Sequence, residues 1–171
     1  VCTGYVEACT RDWGPIDDMR LSDKDLNAAK TMNTHLHILE AYTGLYRVWK
    51  DAGLAAALER TIRLFLDRII CPDGHLGLFF DNQWRPCSTA FSYGHDIETS
   101  WLMTECAELL GDEELIARVK RQAVEMVDTA LEVQGTSIDE MVDAVAETII
   151  EYSIAPCFSN VFASCATVDA F

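Results

Sequence analysis

The spacing of apolar residues between positions 30 and 70 constrains this chain more than any other feature. Met32, Leu36, Leu39, Tyr42, Tyr46 and Trp49 recur at three- and four-residue steps, the signature of one face of an α-helix. Asp51-Ala52-Gly53 interrupts the pattern, and Leu58, Ile62, Phe65, Leu66 and Ile69 resume it. Two amphipathic helices on so short a link pack antiparallel, so helices over 30–50 and 54–70 should form a hairpin.

The pattern then repeats. Residues 95–110 read as a third helix closed by Gly111. Residues 113–133 read as a fourth, with Leu115, Val119, Val124, Val127 and Leu131 inward and Gly135 beyond it. A fifth helix is expected over 137–152, and the stretch after Pro156 shows no clear period. Between the hairpins, Pro72-Asp73-Gly74 stops the second helix, 76–81 read as a short strand or β-loop, and Arg85-Pro86 ends it. Ahead of the first hairpin, residues 4–9 alternate weakly like a short strand, Trp13-Gly14-Pro15 breaks it, and a polar loop with Asp17, Asp18, Arg20, Ser22, Asp23 and Lys24 follows. The 171 residues fit one domain with a sizeable core. The fold class expected is all-α, built of antiparallel helix hairpins with short β-loops. Pairs of this kind, with their long loops at one end, build a helical toroid.

Composition excludes some functions. Twenty-eight acidic residues against 13 basic ones leave a net charge of -15, the wrong sign for a nucleic-acid partner. No apolar run reaches the roughly 18 residues a bilayer span needs, so no membrane partner is expected. Val1-Cys2-Thr3-Gly4 offers neither a basic region nor an apolar stretch, so no signal peptide is read there and a cytoplasmic location is expected. The seven cysteines are odd in number and never spaced Cys-x-x-Cys, which favours reduced, buried small hydrophobes over disulfides or zinc.

Two polar clusters carry the chemistry. Asn33 and His37, four residues apart, share a face of the first helix, while Thr34 and His35 point elsewhere. An amide and an imidazole projecting together can hydrogen-bond a polyol, or they are a buried amide and a core histidine. On the third helix His95, Glu98 and Leu102 lie on one side, with Trp101 close by. A histidine and a carboxylate three residues apart near a helix N-terminus can act as an acid/base pair, the carboxylate raising the imidazole pKa and the helix end lowering it. Trp101 is a sugar-stacking ring or a core residue. Asp96 reads as a structural partner of the helix dipole, and His75 as a surface loop residue.

A metal site of His35, His37, His95 and Glu98 is not favoured. His35 and His37 face different ways on a helix, and no His-Glu-x-x-His pattern exists. No carboxylate pair of the glycosidase kind stands out.

Longer motifs say more. Lys30-Thr31-Met32-Asn33-Thr34-His35-Leu36-His37-Ile38-Leu39-Glu40-Ala41-Tyr42-Thr43 resembles the signature of cellobiose 2-epimerases, as do Leu45-Tyr46-Arg47-Val48-Trp49 and residues 76–81 followed by Trp84. Ser92-Tyr93-Gly94-His95-Asp96-Ile97-Glu98-Thr99-Ser100-Trp101-Leu102 resembles the same family's active-site helix. Its Gly-His-x-x-Glu-x-x-Trp core is similar to the wider N-acylglucosamine 2-epimerase superfamily. The likeness runs over 4–131 and fades after Gln134.

The resemblance implies an internal piece of an (α/α)6 barrel, with 136–171 divergent, acting on the reducing-end sugar of a free saccharide such as cellobiose. It implies C2 deprotonation to an enediolate and return of the proton to the opposite face, with no metal or organic cofactor. By position, His95 matches one of the family's two acid/base histidines, Glu98 its supporting carboxylate, and Asn33 and His37 substrate contacts. Trp101 falls on a motif position as pocket wall or core. All four histidines lie at or before position 95, so none matches the family's second acid/base histidine. An aldose–ketose isomerase of the same superfamily and a catalytically incomplete sugar-binding remnant are the alternatives. The preferred saccharide and the oligomeric state are not legible.

Overall fold

The computed structural model describes residues 4–20, 23 and 26–134. Strand β1 (Lys30–Thr31) runs straight into helix α1 (Met32–Val48), whose start is set by Thr31: its hydroxyl accepts the Thr34 N–H at 3.1 Å. Asp51 caps α2 (Ala52–Leu64) in the same way, Oδ1 accepting the Leu54 N–H at 2.9 Å. The helix continues into a wider π turn, Phe65–Ile69, closed by the Ile70 N–H on the Phe65 carbonyl. Strand β2 (Phe79–Phe80) pairs antiparallel with β1, Lys30 opposite Phe80 and Thr31 opposite Phe79. Ser92 caps α3 (Tyr93–Leu110), which stops at Gly111 in the left-handed conformation that glycine adopts without strain. Asp112 Oδ1 then accepts the Glu114 and Leu115 N–H groups at 3.0 Å and starts α4 (Glu113–Gln134).

The result is two antiparallel hairpins, α1/α2 and α3/α4, with α3 also packed on α1 and α2 and the β-loop between them. Leu36 and Leu39 of α1, Leu58, Ile62 and Phe65 of the α2 segment, Cys106 of α3 and Val119 of α4 are wholly buried in one cluster with Phe80. Each side chain of that size contributes about 1.5–3 kcal/mol by leaving water.

Several expectations need correction. Residues 4–9 join no described strand; their backbone tie is the Glu7 N–H to the Ala29 carbonyl at 3.1 Å. On α1, Tyr42 and Tyr46 are only partly buried and Trp49, just past the helix end, is exposed, while His35 and Thr43 are buried. On α4 the inner stripe is Leu115, Val119, Met126 and Ala130, and Val124 is exposed. Five residues beyond Val119 is about 140° round the helix, whereas seven, at Met126, is about 20°. Among the four described cysteines, all free, Cys106 fits the buried-hydrophobe reading, but Cys9 and Cys87 are exposed. The helix expected over 137–152 lies outside the described residues.

Candidate active site

The start of α1 is held from the N-terminal segment. The Thr31 and Thr34 hydroxyls donate to the two oxygens of Glu7 at 2.6 and 2.9 Å, placing a carboxylate at a helix N-terminus where the dipole favours it. The Tyr5 N–H donates to His35 Nε2 at 2.9 Å. Since Nε2 accepts, the proton sits on Nδ1, which donates to the Thr31 carbonyl at 2.6 Å. His35 is therefore a neutral structural histidine, and burial pushes its pKa down. Trp84, itself in the left-handed region at φ 64°, meets the His35 ring edge-on at 5.0 Å and lies under the Lys30 ammonium at 4.7 Å.

With the helix fixed, Asn33 and His37 project on a different face from His35. Asn33 Oδ1 is buried and finds no hydrogen-bond partner among the described residues, which is costly for an amide. His37 Nδ1 lies 3.2 Å from Glu40 Oε2, one turn on. That carboxylate raises the His37 pKa against the opposing effect of burial, and Glu98 adds to the rise.

On α3, His95 and Glu98 are both buried. Burial, assisted by the charge of His37, takes the His95 pKa down to about 4, so the ring is neutral at pH 7. The carboxylate was expected to raise this pKa; desolvation sets it instead. His95 Nδ1 lies 2.9 Å from the Ser92 hydroxyl, which also caps the helix. Burial raises the Glu98 pKa and Glu40 adds to that, against the lowering effect of His37. These mutual influences place His37, Glu40, His95 and Glu98 in one region between α1 and α3. Glu40 escaped the sequence reading, although its three-residue spacing from His37 signalled it.

Asp96 keeps the structural role expected of it at the start of α3, whereas its partner His75 differs from expectation. Asp96 is wholly buried and accepts the Leu76 N–H at 2.9 Å. His75 is no surface residue. It is buried, with Nδ1 2.8 Å from Asp96 Oδ2 and its ring stacked on Phe91 at 4.1 Å. Trp101 is 47% exposed and so not core; it lines an open groove of about 550 Å³ between α3 and α4 with Glu105, Val124 and Val127. Among the described residues no three histidine, cysteine, aspartate or glutamate side chains converge as a metal would require.

Paired helical hairpins thus bury a neutral imidazole and a carboxyl group on α3, with a second histidine and an amide oxygen on α1. The chain belongs to the N-acylglucosamine 2-epimerase (GlcNAc 2-epimerase) family, whose model matches residues 10–151. It is 59% identical over 118 residues to a cellobiose 2-epimerase of Bacteroides fragilis, a match covering 68% of this chain and 30% of that protein. It is 41% identical over 124 residues to a cellobiose 2-epimerase of Ruminococcus albus, covering 72% of this chain and 31% of that one. Among solved structures it resembles the cellobiose 2-epimerase of Spirochaeta thermophila, with a TM-score of 0.65 and 42% identity over 78% of this chain and 34% of that chain. A sugar epimerase from a ruminal bacterium superposes with a TM-score of 0.71 at 28% identity, over 90% of this chain and 50% of that chain. The chain thus spans about a third of the length of the curated relatives it matches.

Proposed function

We propose that the chain carries part of the active site of a carbohydrate 2-epimerase, a cytoplasmic isomerase that interconverts glucose and mannose at the reducing end of a disaccharide such as cellobiose. The observation that carries this reading is the buried, neutral His95 beside Glu98, with His37 and the buried Asn33 oxygen on the neighbouring helix. In the open-chain sugar the hydrogen on C2 is acidified by the C1 aldehyde. With Nδ1–H donating to Ser92, His95 Nε2 carries the lone pair that takes this proton. The C2–H electrons form the C1=C2 double bond, and negative charge collects on O1 as the enediolate. Return of a proton to the opposite face of C2 gives the epimer.

His37, whose charged form Glu40 favours, donates an N–H to the enediolate, and Asn33 accepts from a sugar hydroxyl. Glu98, its pKa raised, exchanges the proton needed to open the sugar ring. Trp101 lines the separate groove between α3 and α4, so it has no part in the proton transfer between α1 and α3. Every step is a proton transfer, so no cofactor enters. In this reading residues 1–171 form a single domain, part of an (α/α)6 barrel.

The test is proton NMR of cellobiose incubated with the purified chain. In deuterated water, loss of the C2 hydrogen signal of the reducing glucose is the expected outcome, because this chain holds one of the two acid/base histidines. A fructose-type product, or no exchange at C2 with a folded chain, overturns the reading.

A further inference from the structure

The proton-transfer chemistry makes no use of the buried His75–Asp96 pair, yet the pair lies one residue from His95. Asp96 Oδ2 is 2.8 Å from His75 Nδ1 and Oδ1 accepts the Leu76 N–H at 2.9 Å, so two successive residues of the β-loop end on one carboxylate. A carboxylate this deeply buried is costly unless hydrogen-bonded, and burial does raise its pKa, against the lowering effect of His75 and the Leu76 N–H. Its place in the first turn of α3 favours the negative charge.

The His75 ring is itself clamped. Phe91 stacks on it at 4.1 Å with 12° between the planes, and Tyr93 meets it edge-on at 5.8 Å. The loop is also backed by α4: a Cβ on Gly74 would stand 2.5 Å from the Thr129 hydroxyl. The Ile70–Leu76 bridge ties the two ends of the loop together. Through one carboxylate, this braced loop therefore bears on the helix turn that also contains His95, next to its cap Ser92.

We propose that Asp96, acting through His75 and the Leu76 amide, is the positioning residue that fixes the first turn of α3 and with it the His95 imidazole. The inference rests on His95 being the acid/base group, but its effect falls on the burial of that ring and is measurable without substrate. Asp96 is not among the charges that shift His95, so the link runs through position. Asp73 also bears on Asp96, raising its pKa, and Cys71 lies near enough to feel Asp73 and Asp96.

The experiment follows the His95 ring signals by NMR against pH in the wild type and in Asp96→Asn, His75→Phe and His75→Asn. Asp96→Asn keeps an acceptor for Leu76 but loses the charge. His75→Phe keeps the Phe91 stack but loses the donor, and His75→Asn restores a donor. The His95 midpoint, about 4 in the wild type, is expected to rise by at least one pH unit in the first two variants and to return in His75→Asn. Helical circular dichroism should be unchanged throughout. A purely structural pair would lower Tm in both damaged variants and leave the His95 midpoint in place, which overturns the proposal. Should Asp96→Asn not fold, the two His75 variants decide it by the same criterion. C2 exchange of cellobiose that continues undiminished in His95→Asn, with these shifts intact, would remove His95 as the base and leave the positioning standing.

Discussion

Acidification should destabilise this chain through His95 by an amount that its burial sets. The ring titrates near 6.5 when exposed and at about 4 in the folded chain. Between those values the unfolded chain binds more protons than the folded one, so stability rises with pH. The contribution is fully present above about 6.5 and is lost as the pH falls toward 4. At about 1.4 kcal/mol per pH unit, the interval amounts to about 3 kcal/mol. Other groups titrate in the same window. His35, its pKa lowered, acts with the same sign, while His37, Asp96 and Glu98, their pKa values raised, act against it. Subtraction isolates His95: urea unfolding followed by circular dichroism, for wild type and His95→Asn, at pH 7 and pH 4. The stability of the wild type relative to the variant should fall by about 3 kcal/mol from pH 7 to pH 4. A difference that stays constant to within about 0.5 kcal/mol would refute the reasoning, because a ring that exposed would have no depressed pKa to lose.

Three further outcomes can be checked by the same unfolding measurements. Thr99 is wholly buried and its hydroxyl has no partner among the described residues, whereas the Thr43, Thr61, Thr104 and Thr129 hydroxyls each donate to a carbonyl one turn back. Thr99→Val should therefore be neutral or stabilise by about 1 kcal/mol, and a loss of stability would mean that the hydroxyl is satisfied after all. Asp51→Ala removes the α2 cap and should cost about 1 kcal/mol, with Asp51→Ser restoring most of it. Gly74→Ala forces a side chain onto a backbone at φ 89° and against Thr129, and should cost about 1–3 kcal/mol. An unchanged Tm would show that the turn relaxes freely.

The sequence made the hairpins legible because their signals are local. The Asp51 and Ser92 caps, the Gly111 stop and the three- and four-residue apolar steps all act within a turn or two, and the observed helix ends fall within two residues of the expected ones. That His95 and Glu98 sit together near the start of α3, and Asn33 and His37 on one face of α1, was legible for the same reason. What stayed hidden was set by distant partners. His35 is buried because Tyr5, 30 residues away, satisfies its Nε2. His75 is buried because Asp96, 21 residues away, takes its Nδ1. A two-residue strand such as β1 has no period to read, and its partner lies beyond the whole first hairpin. Val124 misled because an apolar residue on the outer face of α4 looks, in sequence, like one on the inner face. That His37 and His95 share one region follows from helix packing, which no single helix encodes.

The most direct test of the account is solvent exchange at C2 of the sugar. Cellobiose is incubated in deuterated water with the folded chain, with His95→Asn and with Glu98→Gln, and the C2 hydrogen of the reducing glucose is followed by proton NMR. The account predicts that the signal decays with the wild type, decays more slowly with Glu98→Gln, and persists at the uncatalysed rate with His95→Asn. Exchange that continues undiminished in His95→Asn would show that another group takes the proton, and the central assignment would fall.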